Sequence, residues 1–238
     1  MKLEFTILDK TYYVPQHISL ECFEKAIVWN LDDLKNLKPF VATIMECPLH
    51  SINKLDEEVL AFITGVCLQR FQLINQPVNF NVLEHTLINF DEMTFSQFVD
   101  LDTFTSKGVQ NNVINIAKIL YNCSRDQIKR EPVEMVWGAI VEYTKWREQV
   151  YREYDEFFEL SNQEGPQLSE EQKQDTNIQL MWWEAIMALA SEDFLKIHQV
   201  VERPWREALN YLTWKKAQVQ KEKLQQLKAK NDLQRRTK

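Results

Sequence analysis

Glycine is scarce, with four residues in a chain of 238. Loops that cradle phosphate need glycine where backbone closely approaches the ligand, so this scarcity argues against a nucleotide-binding loop. It also favours helix, since glycine is a poor helix former. No G-x-S-x-G, H-E-x-x-H, Walker or dinucleotide fingerprint occurs. The cysteines, Cys22, Cys47, Cys67 and Cys123, match no zinc spacing, and His17, His50, His85 and His198 add no ligand pair. In a chain of this length they read as buried free thiols of a reducing cytoplasm rather than a disulfide framework. No charged-then-apolar leader opens the chain and no apolar run approaches about 18 residues, so neither secretion nor a membrane span is expected. No internal repeat is visible, no heptad is sustained, and no metal, cofactor or catalytic centre is expected.

What is present is apolar mass and uneven charge. Hydrophobic residues make up 45% of the chain, with seven Trp and thirteen Phe, enough for a sizeable core. The net charge is −7. Residues 215–238 hold nine Lys/Arg against Glu222 and Asp232, a local balance of +7 that leaves −14 for residues 1–214. An acidic body with a basic tail can meet an acidic protein surface or nucleic acid, or can simply be a solvated helix end. A basic run without aromatics after Trp214 is a weak nucleic-acid signal.

The expected fold is mainly α with a small N-terminal α+β subdomain. Leu3, Phe5 and Ile7 alternate with polar neighbours, Asp9-Lys10 turns the chain, and Tyr12 and Val14 return as a second strand ended by Pro15. Ser19 reads as the N-cap of a helix burying Leu20, Phe23 and Ile27. A hairpin followed by a helix allows a ubiquitin-like topology among others. Residues 31–76 read as short helices punctuated by Pro39 and Pro48, with Val59, Phe62, Ile63 and Val66 on one inward face. Residues 77–90 alternate partly, as in an extended link. Thr94 can cap a helix carrying Phe95, Phe98 and Leu101. Ile116, Ile119 and Leu120 mark another helix.

The second half is more strongly helical. Pro132 suits a helix start, and Tyr143, Trp146, Val150, Tyr154 and Phe157 fall on one face. Residues 161–175 read as a flexible loop, with Ser169 and Gln172 a capping box for the next helix. Ile178, Trp182, Ile186 and Leu189 follow as a stripe. Met181, Trp183 and Met187 make that helix apolar on more than one side, which predicts deep burial. Ser191 is expected to cap a short helix, and Pro204 to open the last one, with Trp205, Ala208, Leu209 and Leu212 inward. The expected divisions are therefore 1–80 (α+β), 81–160 (helical), 161–175 (loop), 176–214 (helical) and 215–238 (basic helical tail).

Asp100-Leu101-Asp102-Thr103 is the most tempting motif, since paired aspartates can hold a divalent cation or serve as nucleophile and acid in phosphoryl transfer. Phosphatases of that kind place a Thr two residues after the second Asp; Phe104 stands there instead, and the preceding stretch is helical. Capping and charge pairing are the expected roles. Candidate partner-contact residues are Trp146, Arg147, Tyr154, Trp182, Trp183 and Trp205, each with a core reading beside it, and Lys215 and Lys216 at the head of the tail.

Several stretches together resemble one family. FTILDKTYYVPQHISL (Phe5–Leu20) is similar to the start of baseplate hub assembly proteins of T-even-like contractile-tailed phages. MTFSQFVDLDTF (Met93–Phe104) resembles the block where, in that family, an aromatic-rich helix runs into Asp-Leu-Asp-Thr. Tyr143–Leu160 and Met181–Lys216 extend the resemblance, the latter in the style of tail assembly chaperones. The resemblance implies a non-enzymatic role on baseplate hub or tail subunits in the host cytoplasm, as a transient chaperone or as a minor hub component of the virion. It makes Asp100 and Asp102 structural. A nucleic-acid-associated regulator using the basic tail is a further alternative.

Overall fold

The computed structural model describes residues 3–7, 9–72, 86–159 and 170–236. The chain is mainly α-helical with one N-terminal hairpin. The hairpin pairs β1 (Leu3–Ile7) with β2 (Lys10–Val14), antiparallel, Leu3 opposite Val14 and Ile7 opposite Lys10. Lys10 is therefore already in the ladder, one residue earlier than the sequence suggested. Asp9 turns the chain at φ 59°, a left-handed conformation that Asp tolerates better than most residues. Among the described residues the sheet has these two strands.

Two compact units form, and each is discontinuous in sequence. Unit 1 holds Met1–Ile88 and Lys107–Lys145; unit 2 holds Asn89–Ser106 and Trp146–Lys238. They cut across the sequential segments drawn above. No composition shift in the sequence marks these boundaries.

In unit 1, α1 (Leu20–Ala26) starts at Ser19, whose side chain accepts from the Cys22 amide at 3.2 Å. Then follow α2 (Leu34–Ile44), α3 (Leu49–Ile52), α4 (Glu57–Gln72), α6 (Val113–Leu120), α7 (Arg125–Ile128) and the first part of α8 (Val133–Glu153). The core is Leu20, Phe23, Phe40, Ile44, Ile52, Ile63, Ile116, Leu120, Val136 and Ile140, all buried. Ile27 and Ile119 are only half-buried. Phe23 stacks on Phe71 (5.2 Å) and meets the edge of Trp137 (5.7 Å). Pro39 does not break its helix. It lies inside α2, and burial of Phe40, Val41 and Ile44 directly after it offsets the missing backbone bond. The inward face of α4 is also not as read: Ile63 and Cys67 are buried, whereas Val59 and Phe62 are exposed. Phe62 meets Phe5 edge-on at 6.4 Å.

In unit 2, α5 (Phe95–Ser106) begins with a capping box: Thr94 Oγ1 accepts from the Gln97 amide (3.2 Å) and Gln97 Oε1 from the Thr94 amide (3.0 Å). The rest of α8, α9 (Asp155–Glu159), α10 (Glu170–Leu189), α11 (Ile197–Val201) and α12 (Trp205–Arg236) complete it. Phe98 stacks on Trp205 (5.2 Å) and meets Trp182 edge-on (5.6 Å); Trp146 meets Trp205 edge-on (5.0 Å). The predicted loop ends early, because residues 170–175 belong to α10. Residues 161–169, including Ser169 of the expected capping box, and most of the predicted link at 77–90 lie outside the described residues. The basic tail is the continuation of α12 rather than a separate helix.

Both units use one arrangement at their helix starts. In unit 1 Ser19 bridges Pro132, the Leu20 amide donates to Glu131 O (2.9 Å), and the Val133 amide donates to Ile18 O (2.8 Å). In unit 2 Thr94 bridges Pro204, the Phe95 amide donates to Arg203 O (2.7 Å), and the Trp205 amide donates to Met93 O (3.2 Å). The first amides of a helix have no partner inside it. Here two crossing helix starts satisfy each other. The same backbone contact thus recurs in the two units, although the side-chain pattern did not show it.

Thr94→Ala is expected to lower unfolding free energy by about 1 kcal/mol, with Thr94→Ser near neutral, in urea titrations. Equal losses in both variants would mean that packing, not the cap, matters at this position.

Candidate functional site

The strongest polar constellation lies inside unit 2. Asp102 is the eighth residue of α5 and is completely buried. Its Oδ1 accepts from Arg147 Nε (2.6 Å) and Tyr151 Oη (2.9 Å), and its Oδ2 from Trp182 Nε1 (2.7 Å). Arg147 Nη2 also donates to Ser106 Oγ (2.7 Å) and to Tyr151 Oη (2.9 Å). Its guanidinium lies 4.4 Å from the Tyr151 ring centroid. Tyr151 stacks on Phe158 with ring centroids 3.8 Å apart. Burial first, and then the Asp102 carboxylate, push the Tyr151 phenol well above its ordinary range, so it stays a neutral donor.

This cluster ties α5, α8 and α10 together with charge-assisted bonds. A carboxylate enclosed by three donors has no face open to substrate. Asp102 is therefore a structural partner of Arg147, as a pairing role implied, but from mid-helix rather than as an end cap. Asp100 is exposed.

The other predicted contact residues separate by helical phase. Trp182, Trp205 and Tyr154 are buried. Trp205 Nε1 donates to Phe90 O (2.9 Å), and Tyr154 Oη to Asn210 Oδ1 (2.9 Å). Trp146 is half-buried against Phe90 (5.3 Å). Lys215 Nζ donates to Ala188 O (3.1 Å) at the C-terminal end of α10, and Lys216 Nζ to Phe157 O (2.5 Å). Both act as C-terminal helix caps. Burial lowers the Lys216 pKa. Trp183 is 48% exposed, and Leu180 on the same helix is also exposed, so α10 is not buried all round.

Two exposed apolar features were not picked out from the sequence. The turn after α10 carries Phe194 and Leu195, 71% and 85% exposed. Ser191 does not cap it. Ser191 and Glu192 are left-handed (φ 56° and 60°), and Asp193 caps, accepting from the Leu195 amide at 3.1 Å. Lys196 pairs with Asp193 at 3.1 Å, and this pair together with the Leu195 amide holds the Asp193 carboxyl below its usual range. A defined turn thus holds two adjacent apolar side chains in water. On α12, Tyr211 and Trp214 are exposed with ring centroids 5.6 Å apart. The phase that turns Trp205, Ala208, Leu209 and Leu212 inward puts Tyr211 and Trp214 outside, so the sequence did carry that signal.

Asp102→Ala is expected to cost about 3 kcal/mol, the low end for a broken buried pair because the Arg147 side chain is 18% exposed. The double variant Asp102→Ala/Arg147→Met should cost less than the sum of its single variants in a double-mutant cycle by urea unfolding. Additive losses would show that the pair is not coupled.

Comparison of the chain with protein-family models, with curated proteins and with solved structures finds no match.

Proposed function

We propose that this protein is a non-enzymatic assembly factor for a contractile phage tail, binding baseplate hub or tail subunits before they are built into the particle. The observation that carries the reading is the Phe194–Leu195 pair, presented in water by the Asp193-capped turn. Exposed apolar side chains held in a fixed turn suit a contact anchor: ordering them on binding costs little, and burying them removes apolar surface from water. Tyr211 and Trp214 add the aromatic character common at binding hot spots. The resemblance of Phe5–Leu20, Met93–Phe104, Tyr143–Leu160 and Met181–Lys216 to baseplate hub assembly proteins and tail assembly chaperones supplies the partner class. The acidic body supplies solubility while apolar surface is displayed.

Quantitative mass spectrometry of purified particles beside infected-cell lysate, normalised to a baseplate protein, tests the proposal. An assembly factor is abundant in lysate and missing from particles; a fixed copy number in every particle would replace this reading with a hub component. Phe194→Ser/Leu195→Ser should leave urea stability unchanged and reduce the yield of complete tails. An undiminished yield would contradict a role for the turn.

A further inference from the structure

Helix α12 runs far past the body it belongs to. Its inward residues end at Leu212 and Lys216, and residues 217–229 are all exposed. Unit 1 shows what the same element does elsewhere. Val133, Val136 and Ile140 are buried at the first, fourth and eighth positions after Pro132, as Trp205, Ala208 and Leu212 are after Pro204. Unit 1 ends at Lys145, thirteen residues after Pro132, and α8 continues from Trp146 as part of unit 2. Ala217, also thirteen residues after Pro204, is where α12 becomes exposed throughout. The continuation of α8 is thus used by a unit other than the one that begins it. The continuation of α12 has no such unit among the described residues.

Charge narrows the choice of a second unit. The exposed stretch displays Lys221, Lys223 and Lys228 against one Glu222, around Val219, Leu224 and Leu227. Two such helices repel each other, which disfavours tail-to-tail pairing. Residues 1–214, at −14, carry the complementary charge, and that charge would repel a nucleic acid approaching the tail. We infer that the exposed continuation of α12 docks on the acidic body of a second copy of this chain. The interface is head-to-tail, so it leaves a free tail at one end and a free body at the other, and association grows with concentration. Apolar Val219, Leu224 and Leu227 supply contact area, and the lysines supply steering and salt dependence.

Sedimentation velocity on the full chain tests this at about 0.05 M and about 0.5 M salt, across which screening shortens severalfold. The inference predicts a sedimentation coefficient that rises with protein concentration at low salt and returns to the monomer value at high salt. Lys221→Glu/Lys223→Glu/Lys228→Glu should be monomeric at every concentration tested, and the matching Gln variant should associate at least tenfold more weakly than the parent chain. Because the Glu variant keeps an acidic body, adding it in excess to fluorescently labelled parent protein should cap the parent tails and collapse larger species to 1:1 complexes. Parent protein that is monomeric throughout, undiminished association of the Glu variant, or failure of that variant to cap the parent would each overturn the inference. So would tighter binding of the parent tail to a labelled DNA duplex than to the parent protein, lost in the Glu variant, which would make the tail a nucleic-acid element.

Discussion

The structure depends on a pair of backbone hydrogen bonds made where two helices begin side by side. A helix start exposes amides that its own turns cannot satisfy. In unit 1 the amides of Leu20 and Val133 find the carbonyls of Glu131 and Ile18; in unit 2 those of Phe95 and Trp205 find the carbonyls of Arg203 and Met93. Pro132 and Pro204 sit at the crossing, where the missing proline N–H costs nothing. The crossing fixes which residues of each helix face inward. From it follow the burial of Leu20 with Val133 and of Phe95 with Trp205.

Unit 2 adds a second constraint, the buried Asp102–Arg147 pair with Tyr151 and Trp182. A buried ion pair is a poor source of net stability, since desolvation consumes much of its Coulomb gain. Its value here is geometric. Trp182 can donate its indole N–H to Asp102 only when α10 is in one register against α5. Among rings as large and mutually adaptable as Phe98, Trp146, Trp182 and Trp205, such a polar peg selects one packing from several of similar apolar area.

Much of the fold was legible in the sequence. The hairpin, the Ser19 and Thr94 caps, the inward positions of α5 and the start of α12 at Pro204 follow from alternation, capping chemistry and helical phase. The elements that escaped did so for physical reasons. Pro39 looked like a break because composition cannot show that Phe40 and Ile44 hold the helix through it. Val59 lies four residues before Ile63 and Phe62 four before Val66, yet phase alone cannot say which edge of a broad apolar face meets the core. The repeated crossing is carried by backbone atoms and two prolines, so side chains as unlike as Val133 and Trp205 conceal it. The exposure of Phe194 and Leu195 depends on the left-handed Ser191-Glu192 corner, which no residue type announced.

The two surface features on which the proposals rest both lie in unit 2: an apolar turn with a fixed shape, and a basic helix with a complementary charge elsewhere in the same chain. The turn takes its shape from the Ser191-Glu192 corner and the Asp193 cap, and the basic helix starts at the crossing with α5. The most direct measurement of that crossing is native-state hydrogen exchange at the amides of Leu20, Val133, Phe95 and Trp205. First-turn amides normally exchange early, through fraying. If the crossings organise the two units, these four amides exchange only in the largest openings, with protection equal to that of Ile116 or Leu101 in the cores. Exchange at the rate of ordinary fraying helix ends would contradict the claim that the fold is built on these bonds.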